Sequence, residues 1–186
     1  MTSKVLTIGD VLCTAGQGGF YFDDQAAIRH GAVHDGFDYA GAPETKGFRR
    51  IRQPGASVSV SLVLSNGDVA FGDCAAVQYS GAGGRDPLFD ADEIITTINT
   101  HVRPLLVGAA LTSFRDLAVL VDGLMVEGHP LHTALRYGVT QAILDAVARA
   151  RQVTMAEVIR EEYGLTGSMR TVPIFAQSGE DRYANV

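Results

Sequence analysis

Two glutamines are the residues best placed to touch a small polar ligand. Gln78 and Gln177 each close an apolar run and precede a small-residue turn, Tyr79-Ser80-Gly81 and Ser178-Gly179. An amide offers both a donor and an acceptor, so a glutamine at a strand end can hold a ligand or bond the local turn backbone. On pattern alone both readings stand. Other groups point less clearly to chemistry. His129 and His132 are three apart, but Pro130 lies between them and no Asp, Glu or Cys sits at ligand spacing. We read them as a helix-start and a half-exposed histidine rather than a metal pair. Asp23-Asp24 and His34-Asp35 could serve as acid and base, but in loop sequence they read as solvated turn formers. Asp145 and Arg149 have the spacing of an ordinary helix-surface ion pair. No Ser-His-Asp or Cys-His arrangement is recognisable.

The glycine-rich stretch Ser80-Gly81-Ala82-Gly83-Gly84-Arg85-Asp86-Pro87 invites a phosphate-cradle reading. A cradle of the P-loop type needs a following Lys-Ser/Thr pair between a strand and a helix, and neither feature is present. The stretch reads as a tightly turned or mobile loop.

These residues need a scaffold, and the composition supplies one. The chain has 186 residues, 46% hydrophobic and 19% charged, which suits a packed core rather than disorder. A formal charge of -6 argues against nucleic-acid binding, which needs a basic face. The densest basic run, Arg49, Arg50 and Arg52, reads as a solvated strand or loop. The N-terminus lacks a signal-peptide pattern and no segment is long and apolar enough to span a membrane, so a cytoplasmic protein is expected. Cys13 and Cys74 lie in apolar strand-like surroundings and are read as reduced, buried thiols.

The first half reads as β-rich. Val5 to Cys13 is an expected strand, broken by Gly16–Gly19 before a short strand at Phe20–Phe22, and residues 30–47 read as a loop-like excursion or hairpin. Ser57–Leu62 alternates polar and apolar, which puts Val58, Val60 and Leu62 on one buried face. Asn66-Gly67 is a two-residue hairpin signal, and Val69 to Gln78 the returning strand. The second half reads as four helices. One runs from an Asp90/Glu93 capping box to about Leu106, with Ile94, Ile98, Val102 and Leu105 as its stripe. The next starts near Ser113 and buries Leu117, Leu120, Val121 and Leu124. A third starts at Pro130 with the stripe Leu131, Leu135, Val139, Ile143 and Val147. The fourth runs from a Thr154/Glu157 capping box, with a Val153–Val158 staple, to Tyr163-Gly164. Thr171–Gln177 then reads as a buried strand with no partners.

At this point a resemblance enters. Asp10-Val11-Leu12-Cys13-Thr14, Gly19–Gln25, the run GDCAAVQYSGAGGRDPLF, the helix LHTALRYGVTQAILDAVARAR with VTMAEVIREEY, and VPIFAQSGEDRY together resemble the methylaspartate ammonia-lyase family of the enolase superfamily. The resemblance runs nearly the whole chain in order. It implies an α+β fold: an enolase-type N-terminal cap of antiparallel sheet followed by a helical bundle over residues 1–168, and the first strand and loop of a C-terminal (β/α) barrel over 169–186. A barrel of this type takes about 250 residues, so the rest of it is expected beyond Val186.

The implied activity is reversible elimination of ammonia from (2S,3S)-3-methylaspartate to give mesaconate, in amino-acid degradation. Mg²⁺ on the substrate carboxylate stabilises the enediolate-like intermediate and a lysine takes the proton. The resemblance puts that base and the metal-binding carboxylates in the barrel, so this chain has no expected catalytic or metal-binding residue. By resemblance Gln177 in FAQSG bonds the substrate, Gln78 in AAVQYSG lies near its amino group, and Ser80–Gly84 is a cap loop that excludes water. The implied partners are an amino-acid substrate, the C-terminal barrel and a second subunit of a homodimer. A non-catalytic cap-only binding module, or one half of a split enzyme, is the alternative.

Overall fold

The computed structural model describes residues 5–76, 86–168 and 170–175. Its centre is the hairpin that the alternating pattern predicts. Strand β4 (Arg52–Leu64) buries Val58, Val60 and Leu62 completely, and β5 (Val69–Ala75) returns antiparallel with Gly72 opposite Val60 and Cys74 opposite Val58. The connection is longer than a two-residue turn. The Leu64 N–H donates to the Asp68 carbonyl at 2.8 Å, and of the expected turn pair only Gly67 takes a positive φ, +90°. Asn66 works through its side chain, whose Oδ1 accepts from the Asp68 N–H.

Strand β1 (Ile8–Asp23) completes a sheet of order β1-β4-β5. The glycine run does not end this strand, contrary to expectation. Gln17 pairs with Ala56 and Tyr21 with Pro54, so residues 18–20 oppose Gly55 alone. The long partner strand keeps the ladder going on both sides, and the glycines are absorbed as a bulge. After β1 comes a short helix, α1 (Gln25–Arg29), which the sequence reading missed. The excursion that follows forms a small hairpin, β2 (Val33–Asp35) with β3 (Asp38–Ala40).

The helices cover one face of the sheet. Asp90 caps α2 (Ala91–Thr97) as expected, its carboxylate accepting from the N–H groups of Asp92 and Glu93. The helix then passes through a π turn (Ile98–Val102) into α3 (Arg103–Leu106). Pro104 has no N–H to return to the preceding turn, a common cause of such irregularity. The wider turn moves the stripe by one residue: Ile94, Ile98, Val102 and Leu106 are buried, and Leu105 only half-buried.

Helix α4 (Phe114–Asp122) buries Phe114, Leu117, Ala118 and Val121, while Leu120 faces outward and Leu124 is half-buried. The third helix does not begin at Pro130. Met125–Val126 (β6) pairs with His129–Pro130 (β7), and α5 (Thr133–Arg151) starts from His132 as its cap. Its stripe holds: Leu131, Leu135, Val139, Ile143 and Val147 are all buried. Helix α6 (Met155–Glu162) carries the Thr154/Glu157 capping box in full and ends at Tyr163, with Gly164 at φ +63°.

Helix α5 also closes one edge of the sheet. The outward N–H of Phe71 donates to Asp145 and that of Asp73 to Gln141, at 3.0 and 3.2 Å. Asp145 is thus more than the surface partner of Arg149, with which it also pairs. Side chains that occupy edge donors keep a further strand from adding there. The buried strand expected at Thr171–Gln177 is not formed over residues 171–175. They have no ladder partner, and Ile174 and Phe175 are 92% and 89% exposed.

Candidate functional site at one end of the sheet

The antiparallel order brings the end of β1, the start of β4 and the end of β5 to one end of the sheet, with Asp23 opposite Arg52 and Ala75 opposite Ser57. A groove of about 640 Å³ opens there. Lys46, Arg49 and Arg50 line one part of it, and Asp90, Asp92 and Glu93, at the start of α2, another. Arg49 and Arg50 are exposed, as expected of a solvated run, but Arg52 of the same run is not: its side chain is 18% exposed and pairs with Asp23.

Two buried carboxylates hold the loops around this end. Asp24 is fully buried, although its sequence context reads as a solvated turn. It caps α1 by accepting from the N–H of Ala26, and it accepts from the N–H of Glu44 at 2.6 Å, the N–H of Thr45 at 2.8 Å and the Thr45 hydroxyl at 2.6 Å. Burial pushes its pKa up, but the Thr45 hydroxyl and the backbone donors of Thr45, Glu44 and Ala27 outweigh that and hold it below the usual carboxylate range. The 44–50 segment is thereby tied to α1. Asp23, also buried, takes Arg52 in a two-pronged pair, Nε to Oδ1 and Nη2 to Oδ2, both 2.8 Å. The guanidinium lies over the rings of Phe37 and Tyr39 at 4.7 and 5.1 Å, which fixes the β2–β3 hairpin against the sheet. The tell-tale for Asp24 was local: an Asp directly before Gln25-Ala26-Ala27-Ile28-Arg29 is an N-cap pattern.

The same end of the molecule holds His132. Its Nδ1 accepts from the Ala134 N–H at 3.0 Å, and Nε2 lies 3.3 Å from the Pro87 carbonyl oxygen. An accepting Nδ1 leaves the proton on Nε2, so both contacts agree on one neutral tautomer. Both ring nitrogens are therefore used, and His129 sits apart in β7. Among the described residues no group of three or more His, Cys, Asp or Glu side chains could hold a metal. Asp23, Asp24 and His132 are all committed to internal contacts, so they do not fit Mg²⁺. Cys13 and Cys74 are free thiols. Burial raises the first to about 11, and burial with the neighbouring Cys13 and Asp73 raises the second to about 12. Neither is a ready nucleophile. Gln78, Gln177 and the Ser80–Gly84 stretch lie outside the described residues.

Comparison with known proteins places this arrangement. A family profile described as the methylaspartate ammonia-lyase N-terminus matches residues 6–164. The chain is 60% identical to methylaspartate ammonia-lyase of Clostridium tetanomorphum over 97% of its own length and 44% of the relative's. The Mg complex of β-methylaspartase from that organism superposes with a TM-score of 0.89, at 60% identity over 96% of this chain and 43% of that one. The Citrobacter amalonaticus enzyme containing (2S,3S)-3-methylaspartic acid gives 0.88, at 53% identity over 96% of this chain and 43% of that one. The chain thus spans less than half the length of the relatives it matches. Among the described residues no helix is long and apolar enough to cross a membrane.

Proposed function

The chain belongs to the methylaspartate ammonia-lyase family of the enolase superfamily as its N-terminal portion, and we propose that it caps the active site of a lyase that reversibly eliminates ammonia from (2S,3S)-3-methylaspartate to give mesaconate. The observation that carries this is the close likeness to a relative's structure containing (2S,3S)-3-methylaspartic acid. In this reading residues 1–168 form the cap and 169–186 open a (β/α) barrel. The exposure of Val172, Ile174 and Phe175 supports it, because such apolar side chains need a partner surface. In this reading the barrel supplies the base and the carboxylates that hold Mg²⁺. Bound there, Mg²⁺ stabilises negative charge on the substrate carboxylate. The complete enzyme is read as a cytoplasmic homodimer; two free, high-pKa thiols suit a reducing compartment.

The contribution of this chain, cap and first barrel strand together, is contact and orientation. Gln177 bonds the substrate and Gln78 lies at its amino-group side, an assignment supported by the resemblance of the FAQSG and AAVQYSG segments. The test uses the complete lyase. Gln177→Ala is expected to weaken substrate binding by about 1.5–3 kcal/mol, the worth of a hydrogen bond to a charged group. Gln78→Ala is expected to shift amine preference toward larger nucleophiles in the addition direction. Unchanged kinetics for Gln177→Ala, or equal responses to ammonia and methylamine for Gln78→Ala, remove that residue from the site.

A further inference from the structure

A groove of about 500 Å³ opens between α4, α5 and α6. Its wall is mainly apolar: Phe114 from α4, Tyr137 and Leu144 from α5, Met155 and Ile159 from α6, and Leu165 just beyond. The groove stays open because its sides are held. The capping box sets one end of α6, and Glu162 sets the other by accepting from the N–H groups of Phe114 and Arg115 and pairing with Arg151. Tyr137, Met155 and Leu165 are left exposed around one hollow. Large apolar side chains gathered in this way mark a surface that another body covers.

The polar groups in the wall say what that body must bring. The Thr140 hydroxyl is spent on the Arg136 carbonyl at 2.7 Å, and Gln141 Oε1 accepts from the Asp73 N–H. Arg160 also lines the groove, and its Nε is buried with no acceptor among the described residues. A buried N–H left unpaired is costly, so the occupant has to carry an oxygen as well as apolar surface.

The chain path says where the occupant comes from. The Leu165 N–H donates to the Arg160 carbonyl at 2.9 Å, so the chain leaves α6 at the groove itself. Val172, Ile174 and Phe175 follow, and all are exposed. The stretch from Leu165 to Val172 reaches at most about 25 Å. A domain built on that segment therefore starts beside the groove and is held there at high effective concentration. A second copy has no such tether. The chain spans less than half the length of its relatives, which leaves ample polypeptide to fill the hollow.

We propose that this groove is the seat of the C-terminal barrel of the same polypeptide, which packs apolar side chains on Tyr137, Met155 and Leu165 and brings a carboxylate or carbonyl oxygen to Arg160. The proposal rests on the reading that a barrel follows the cap.

The test uses the complete lyase. Dilute hydrogen peroxide is added, and oxidation of Met155 is followed by peptide mass spectrometry, with the urea-unfolded enzyme as reference. Met155 is 41% exposed in this chain. Covered by the barrel, it is expected to react at least about ten-fold more slowly than when unfolded. The protection persists on dilution to monomers. Leu165→Asp, at an exposed position outside the helices, uncovers Met155 and lowers the melting temperature of the complete lyase by about 2–4 °C. Arg160→Leu decides on the acceptor by its sign. If the barrel supplies an oxygen, the variant strands it and the melting temperature falls. If nothing meets Nε, removing a buried unpaired donor leaves the melting temperature unchanged or raises it, which overturns that part of the proposal. Met155 oxidised in the active lyase within about three-fold of the unfolded rate shows an open groove and overturns the proposal alone. Protection lost on dilution gives the groove to a second copy and overturns it too. If the complete protein does not interconvert 3-methylaspartate and mesaconate, the functional reading fails, and the proposal with it.

Discussion

Gly72 on β5 and Gly138 on α5 meet with no side chain between them. A Cβ on Gly72 would overlap the Gly138 carbonyl oxygen and come within 2.7 Å of the Ala142 nitrogen; one on Gly138 would lie 2.5 Å from the Cys74 nitrogen. The clashes are with backbone, so neither can be relieved by turning a side chain. This close approach lets Asp145 and Gln141 reach the edge of β5. Gly72→Ala or Gly138→Ala is expected to cost about 3 kcal/mol or more by overpacking. Gly19→Ala, where a Cβ meets nothing within 4 Å, should stay within about 0.5 kcal/mol. Urea melts of the three variants check this; equal midpoints would mean that the helix and sheet can part freely.

Asp24 joins α1 to the 44–50 segment through donors from both. Asp24→Ala leaves the N–H groups of Glu44 and Thr45 without their acceptor and removes a helix cap. The expected cost is about 3 kcal/mol, most of it from unsatisfied donors. Limited proteolysis should show faster cleavage within residues 41–50 than in the wild type. A variant as resistant as the wild type would mean that the segment is held by other contacts.

Glu162 governs an acid limb of stability. Its carboxylate accepts from the N–H groups of Phe114 and Arg115 at the start of α4 and from Arg151 at 2.6 Å. Burial raises its pKa, but those N–H donors, the Arg151 charge and the Ser113 hydroxyl bring it below the usual glutamate range. A folded pKa lower than the unfolded one contributes stability that is present above the unfolded value and lost as pH falls through the folded value. Glu162→Gln should therefore destabilise near neutral pH and show a flatter loss as pH falls through and below the ordinary glutamate range. Denaturant melts across that range test it; parallel curves for the two proteins would exclude Glu162 as the titrating group.

Much of the fold was legible because it is local. Alternation placed Val58, Val60 and Leu62 inside, and helical spacing placed Leu135, Val139, Ile143 and Val147. The errors came where a distant partner decides. Gly16–Gly19 reads as a break until β4 is seen to pair on both sides of it. Asp24 reads as solvated because two of its donors lie 20 and 21 positions away. Pro130 suits a helix start, yet the cap falls to His132, whose tie to Pro87 spans 45 positions. The π turn moves burial from Leu105 to Leu106, a one-residue shift no fixed period foresees. Of the candidate site, residue types and the family resemblance pointed to Gln78 and Gln177, whereas the carboxylate ties that shape the end of the sheet join residues 20 to 29 positions apart, which no local pattern specifies.

The 186-residue chain by itself should neither deaminate 3-methylaspartate nor bind Mg²⁺ tightly. Proton abstraction next to a carboxylate needs a base at the reacting carbon and a cation for the developing charge. The sequence contains two lysines, Lys4 and Lys46. Lys46 is exposed at the groove rather than held in a buried setting. The buried acids are already engaged, Asp23 by Arg52 and Asp24 by backbone donors. Glu180 and Asp181 could attract a cation, but two adjacent carboxylates do not make an organised octahedral site. The expected result is no rise in mesaconate absorbance with Mg²⁺ present and no saturable heat on metal titration, with partial self-association through Val172, Ile174 and Phe175 visible by sedimentation. Turnover that persists after any full-length enzyme is removed would require a base within these residues and sink the division of labour between cap and barrel. Turnover restored by a separately made barrel chain would show instead that the two parts work as halves of a split enzyme.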